Sequence, residues 1–147
     1  MATGPAVEDA TDIRAIVDLT IAYTWALDTR SYDDLHRVFT ADAVADLRGS
    51  IHEGIESILE RVTGGTSRFD VTQHLVGNQQ VHLDGDSATC RTQLQAQHVK
   101  LGTPGGDTFI VGGIYHDEMV RTADGWRIRH RRLEQTWSSG NPVVLQR

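Results

Sequence analysis

A chain of 147 residues, 39% hydrophobic and 23% charged, has the size and balance of one globular domain with a sizeable core. A formal net charge of −6 argues against a broad nucleic-acid surface or an anionic membrane as partner. The single cysteine, Cys90, can form no internal disulfide; the N-terminus "MATGPAVEDATD" lacks the pattern of a signal peptide, and no stretch approaches membrane-span length, so a cytoplasmic protein is expected.

Residues 1–8 read as a loose tail before a helix that Asp9 and Asp12 can cap. Ile13, Ile16, Val17, Thr20, Tyr23 and Leu27 then follow the rhythm of a buried helical stripe, ending near Asp28–Ser31. "SYDDLHRVFT" suggests a shorter amphipathic helix with Leu35, Val38 and Phe39 on one side. "DAVADLRGSIHEG" gives a short strand and a turn, and a third helix from about Glu53 is expected to stop at "TGGTS". From Thr72 the period becomes two, and four long strands follow, joined by "DGD", "GTPGGD" and "TADG". The basic run "RIRHRR" (127–132) lies in the last strand and reads as a solvated strand face. The expected fold class is α+β: a curved antiparallel sheet forming a cone, covered by three N-terminal helices, in a single domain spanning 1–147.

The stretch "FDVTQHLVGNQQVHL" (69–83) poses the functional question. His74, Val76, Asn78, Gln80 and His82 alternate with Leu75, Gly77, Gln79, Val81 and Leu83, and the second set resembles an ordinary half-buried face. In the next strand the even face carries Ala88, Cys90, Leu94, Ala96 and His98, so His98 is expected to point inward, with His74 at similar depth. Asp28, ending the first helix, is the candidate partner of His74. A buried carboxylate would fix the imidazole tautomer and leave the far nitrogen as a base. The plain alternative is that Asp28 ends its helix and starts the "DTRS" turn.

Other constellations are weaker. His116, Asp117 and Glu118 alternate faces along a strand, and no H-x-x-x-H or H-E-x-x-H spacing occurs, so no metal site is expected. "GTPGGD" lacks the Lys-Ser/Thr and helix of a phosphate loop, and no serine sits in a G-x-S-x-G elbow. Trp137, in "EQTWSSGNP", is a candidate to close a pocket, with plain packing as the alternative.

On the segments "IAYTWALDTRSYDDLHRVFTADA", "TQHLVGN", "AQHVK" and "GGIYHDEMVRTADGWRI", the chain resembles the SnoaL-like group of the nuclear transport factor 2-like superfamily. Within that group it looks most like the scytalone dehydratases and hexachlorocyclohexane dehydrochlorinases, from about Ile13 to Pro142. The resemblance implies that Asp28 and His74 are the family's catalytic pair, that His98 is a second active-site histidine, and that Tyr23 lines the pocket. It also marks departures. Two substrate-polarising tyrosines of the dehydratases appear here as Leu27 and Leu47, and a serine and an asparagine fall at about Ile114 and His116. The dehydrochlorinase lysine is replaced by Tyr23.

The expected function is a cofactor-free lyase or isomerase, of dehydratase, dehydrochlorinase or polyketide-cyclase type, acting on a small apolar cyclic substrate. His74, oriented by Asp28, would remove a proton from carbon. His98, Tyr23 or His116 would donate hydrogen bonds to the developing oxygen charge. The alternative is a non-catalytic ligand-binding or accessory subunit of the same fold. Either reading leads to a homodimer or homotrimer, through an outer sheet face carrying Val99, Leu101, Ile110 or Ile114.

Overall fold

A computed structural model describes residues 7–147. Most of the expected tail lies outside them, while residues 7 and 8 already belong to the first helix, α1 (Val7–Asp28). Asp9 therefore sits inside the first turn of α1, adding negative charge at its positive end, rather than before it. The inner stripe of α1 is Ile16, Thr20, Tyr23 and Leu27, all buried. The second helix contracts to a 3-10 turn, Tyr32–Arg37, and Phe39 opens β1 (Phe39–Leu47) instead of extending the turn. β2 (Ser50–Glu53) returns antiparallel to β1, and α2 (Ile55–Thr66) follows. Gly64 and Gly65 lie within α2 and do not stop it, although glycine in a helix interior costs about 1 kcal/mol against alanine.

The four long strands are β3 (Val71–Asp84), β4 (Ser87–Val99), β5 (Thr108–Thr122) and β6 (Gly125–Gly140). They form the expected antiparallel meander, and β1 adds to it parallel to β6, giving the order β2-β1-β6-β5-β4-β3. That parallel pairing joins elements distant in sequence, and no hairpin turn announces it. The sheet curves without closing, and both helices cover its concave face. Between them lie Ile16, Leu35, Ile58, Val62, Met119, Trp126 and Ile128. Each such side chain contributes about 1.5–3 kcal/mol by leaving water. Among the described residues no helix is long and apolar enough to cross a membrane.

Bulges decide which side chains face inward. In β3 the register slips between Gly77 and Gln80, and Asn78 takes left-handed backbone at φ 53°. Before the slip Thr72, His74 and Val76 face the helices; after it Val81 and Leu83 do, and Gln79 donates to the Thr20 hydroxyl of α1 at 3.1 Å. One strand thus turns both of its alternating sets inward, each over part of its length. β6 repeats the device. Its register slips between Ile128 and His130, so Trp126 and Ile128 face inward before the slip and Arg131 after it.

Arg131 therefore departs from the solvated face expected of "RIRHRR": it is fully buried. Its Nε and one terminal nitrogen grip the Asp117 carboxylate at 2.7 and 2.8 Å from the neighbouring strand. The guanidinium carbon lies 4.0 Å from the Tyr115 ring centroid, 4.3 Å from that of Tyr23 and 5.9 Å from that of Phe39. Two buried charges are tolerable only when they satisfy each other, and the aromatic faces supply the remaining attraction. Asp117→Asn, which strands the guanidinium, is expected to lower unfolding free energy by about 3 kcal/mol or more. Arg129→Gln, at an exposed position, should cost under about 0.5 kcal/mol, and urea denaturation measures both.

Candidate active site

Asp28 ends α1, where an acidic side chain meets the negative end of the helix dipole and is disfavoured by about 0.3–1 kcal/mol. The helix end does not need it. Arg30 takes left-handed backbone at φ 59°, and the N–H groups of Arg30 and Ser31 donate to the Leu27 and Ala26 carbonyls at 3.2 and 2.9 Å. This backbone closure satisfies the terminal carbonyls without a side chain. The Arg30 guanidinium then donates to the carbonyls of Ser67, at 2.9 Å, and Phe69, tying the helix end to the segment before β3.

The Asp28 carboxylate is left free to cross to β3. It accepts from the His74 ring Nδ1 at 2.6 Å, the His74 backbone N–H at 2.7 Å and the Thr72 hydroxyl at 3.0 Å. Burial works to raise its pKa, but these hydrogen bonds and the attraction of His74 hold it below the usual carboxylate value. An ionised carboxylate only accepts, so the proton of this contact belongs to Nδ1, and Nε2 is the nitrogen not engaged by Asp28. The His74 side chain is only 6% exposed and lines a cavity of about 270 Å³. That is slightly below the usual range for pockets that hold drug-sized ligands, and suits a small cyclic molecule.

His98 lines the same cavity, its ring 6.3 Å from that of His74 and edge-on to Phe69 at 4.8 Å. Its Nδ1 lies 3.2 Å from the Phe109 carbonyl, which can only accept, so Nδ1 carries the proton and Nε2 is bare. Burial, aided by the nearby His74 and Arg68, lowers its pKa. In this neutral form His98 accepts a hydrogen bond from a ligand rather than donating one.

Tyr23 lines the cavity beside Tyr115, their rings 5.7 Å apart and nearly perpendicular. Burial raises both phenol pKa values, against the pull of Arg131, so each keeps its proton and remains a donor. Arg131 Nη1 is buried with no hydrogen-bond partner. Tyr115, Asp117 and Arg131 were not among the expected site residues. The signal for the first two was present: odd positions of β5 carry Phe109, Val111, Tyr115 and Met119, and Asp117 is the one acid on that apolar face. The bulge in β6 hid Arg131.

Two expected residues lie elsewhere. His116 follows the opposite parity to Tyr115, so it faces the outer side of the sheet and bonds Glu134 at 2.7 Å. Trp137 is also on the outer face, 43% exposed and laid over Gly112, where an added Cβ would come within 2.0 Å of its ring. Trp137 pairs with Gly112, an outward position, and so cannot close the cavity. Leu27 and Leu47 do line the cavity, whereas Ile114 points away from it with His116. Among the described residues no group of three or more His, Cys, Asp or Glu side chains is placed to hold a metal ion.

The shifted His98 has a consequence for stability. The unfolded chain binds a proton at about pH 6.5, while the folded chain resists it until lower pH. Its contribution is therefore complete above about pH 6.5 and is lost as pH falls through the depressed folded value. Thermal melts between about pH 7 and about pH 5 should show a decline that is shallower in His98→Gln.

Comparison with known proteins places the chain in a family. The SnoaL-like domain profile matches residues 8–132, a span containing Tyr23, Asp28, His74, His98, Tyr115 and Arg131. An uncharacterised protein of Mycobacterium tuberculosis is 38% identical over 127 residues, covering 85% of this chain and 86% of its own. A terrestric acid biosynthesis cluster protein of Penicillium crustosum is 32% identical over 140 residues, covering 91% and 89%. In fold, the hexachlorocyclohexane dehydrochlorinase of Novosphingobium barchaimii superposes with a TM-score of 0.80 at 17% identity, covering 90% of this chain and 92% of its own. The chain belongs to the SnoaL-like family.

Proposed function

We propose that the protein is a cofactor-free lyase or isomerase in which His74, oriented by Asp28, removes a proton from carbon in a small cyclic substrate. The observation that supports this reading is the 2.6 Å hydrogen bond from Nδ1 to Asp28, on a buried histidine whose other nitrogen is left to the cavity. A structural His–Asp pair could sit anywhere in the core. This one places an acid at the wrong end of a helix dipole and satisfies it with three donors from one strand, two of them from His74, which lines the cavity. The membership of the family, which contains lyases and isomerases, and the Penicillium relative's named place in a biosynthesis cluster agree with it.

In this reading the His74 Nε2 lone pair takes the proton from a carbon next to a carbonyl, and the electron pair moves to the carbonyl oxygen. The Tyr23 and Tyr115 phenols donate to that oxygen, with the Arg131 charge behind them. They take the role first given to Tyr23, His98 or His116. The imidazolium then returns its proton, either to another carbon, which isomerises the substrate, or to a departing hydroxyl, which releases water. His98, as an acceptor, fixes a substrate hydroxyl. Self-association through the outer sheet face, as a homodimer or homotrimer, belongs to the same proposal, with the exposed Leu75 and Trp137 beside Ile114 as its apolar strip.

The test is proton exchange in D₂O followed by NMR over a panel of cyclic ketones and hydroxyketones. Wild-type protein should exchange the acidic carbon proton of at least one member. Asp28→Asn should slow exchange by about 10²–10⁴-fold with ligand affinity retained. Ligands that bind without exchange, or exchange indifferent to Asp28→Asn, would establish a binding protein instead.

A further inference from the structure

Three cationic side chains line the cavity that holds His74: Arg48 from the β1–β2 turn, Arg61 from α2, and Arg68 from the segment before β3. No carboxylate lines it with them, and among the described residues none of the three lies within ion-pair distance of one. This is unusual in a chain whose net charge is −6, where acids outnumber Lys and Arg by 20 to 14.

Two of these charges are held in place, Arg48 by a hydrogen bond to the Gln135 side chain at 2.5 Å. Arg68 donates to the Leu145 carbonyl at 2.6 Å, and its guanidinium lies 4.7 Å from the Phe69 ring centroid. Its Nε is buried with no hydrogen-bond partner. A guanidinium half-withdrawn from water without a counter-charge is a cost to the fold unless something else satisfies it. Burial and the nearby Arg147 and Arg61 accordingly disfavour its charged form. The Arg61 guanidinium lies against Gly65, where an added Cβ would stand 2.6 Å from its Nη1. A helical glycine that weakens α2 thus leaves the room this arginine occupies.

We propose that the cavity takes an organic anion, a cyclic carboxylic acid whose carboxylate is held by Arg61 and Arg68, with Arg48 beside them, while its ring extends toward His74. Guanidinium groups bind carboxylates through paired, charge-assisted hydrogen bonds, so the arrangement selects an acid over a neutral analogue of the same shape. The inference rests on the cavity being the substrate site of the proposed function and adds the class of substrate. The anion also fixes direction: a carboxylate held among the arginines turns the far edge of the ring toward the two bare imidazole nitrogens.

The experiment is isothermal titration of the full chain with 2-naphthoate and with the neutral isostere 2-naphthamide. In low salt the carboxylate should bind about tenfold more tightly than the amide, and about 0.5 M NaCl should erode that preference while leaving amide binding nearly unchanged. Arg61→Gln and Arg68→Gln should each reduce the preference by about threefold or more, and Arg129→Gln, exposed and away from the cavity, should leave it intact. Arg68→Gln also releases Leu145, so Arg61→Gln and the salt dependence of the wild type carry the test if that variant is unstable. Equal binding of acid and amide, or a preference surviving both arginine replacements, would overturn the inference while leaving the cavity as a ligand site. Binding of neither compound would overturn it together with the cavity reading. An acid preference, with no proton exchange on cyclic ketones that also carry a carboxylate, would uphold it and remove the catalysis.

Discussion

One carboxylate fixes the C-terminal end of α1 over the sheet. Asp28 accepts three hydrogen bonds from β3, two of them from His74 itself, and so sets the end of α1, the start of β3 and the imidazole in a single contact. Alone, an aspartate there would oppose the helix dipole and lose hydration. Its tolerance depends on donors that β3 presents at a fixed register, Thr72 opposite His98 and His74 opposite Ala96. The Arg30 side chain adds a second tie from the helix end to residues 67 and 69, so neither partner of the dyad can move without the other.

The concave face must satisfy two incompatible requirements. Near α1 it has to be apolar enough to bury Ile16, Met119 and Ile128, yet at the other end it must present imidazoles, phenols and a guanidinium. A strand with strict alternation carries one kind of face along its whole length. The bulges at Asn78 and Arg129 relax that restriction, letting His74 and Val81 share a face in β3, and Ile128 and Arg131 in β6. Arg131 and Asp117 sit at the boundary, their charge masked from the core by Tyr23, Phe39 and Tyr115.

How much of this was legible in the sequence follows from the same devices. The α1 stripe, the four-strand meander and the inward direction of His98 obey simple periods, and the structure follows them. The proximity of Asp28 to His74 was a suggestion from residue chemistry and resemblance; the backbone closure at Arg30 removes the alternative that Asp28 serves its own helix. Arg131 was hidden in a basic run because a bulge reverses parity without any fixed residue signature. His116 was placed at the site by the resemblance, near the position of a family asparagine, and the inward position is its neighbour Tyr115. Gly64–Gly65 looked like a stop, but tertiary contact outweighs propensity in α2.

The slip at Asn78 also bears on how such a site changes over generations. Because parity is reset there, the segment before it and the segment after it answer to different neighbours: one to the cavity and the last turn of α1, the other to the middle of that helix. Residues 72–76 can be exchanged for another set that still offers Asp28 its donors while Val81 and Leu83 keep their anchorage, so the strand behaves as two heritable halves joined at a residue in left-handed backbone. A scaffold divided in this way can acquire new chemistry at its open end while the end that holds it together stays the same.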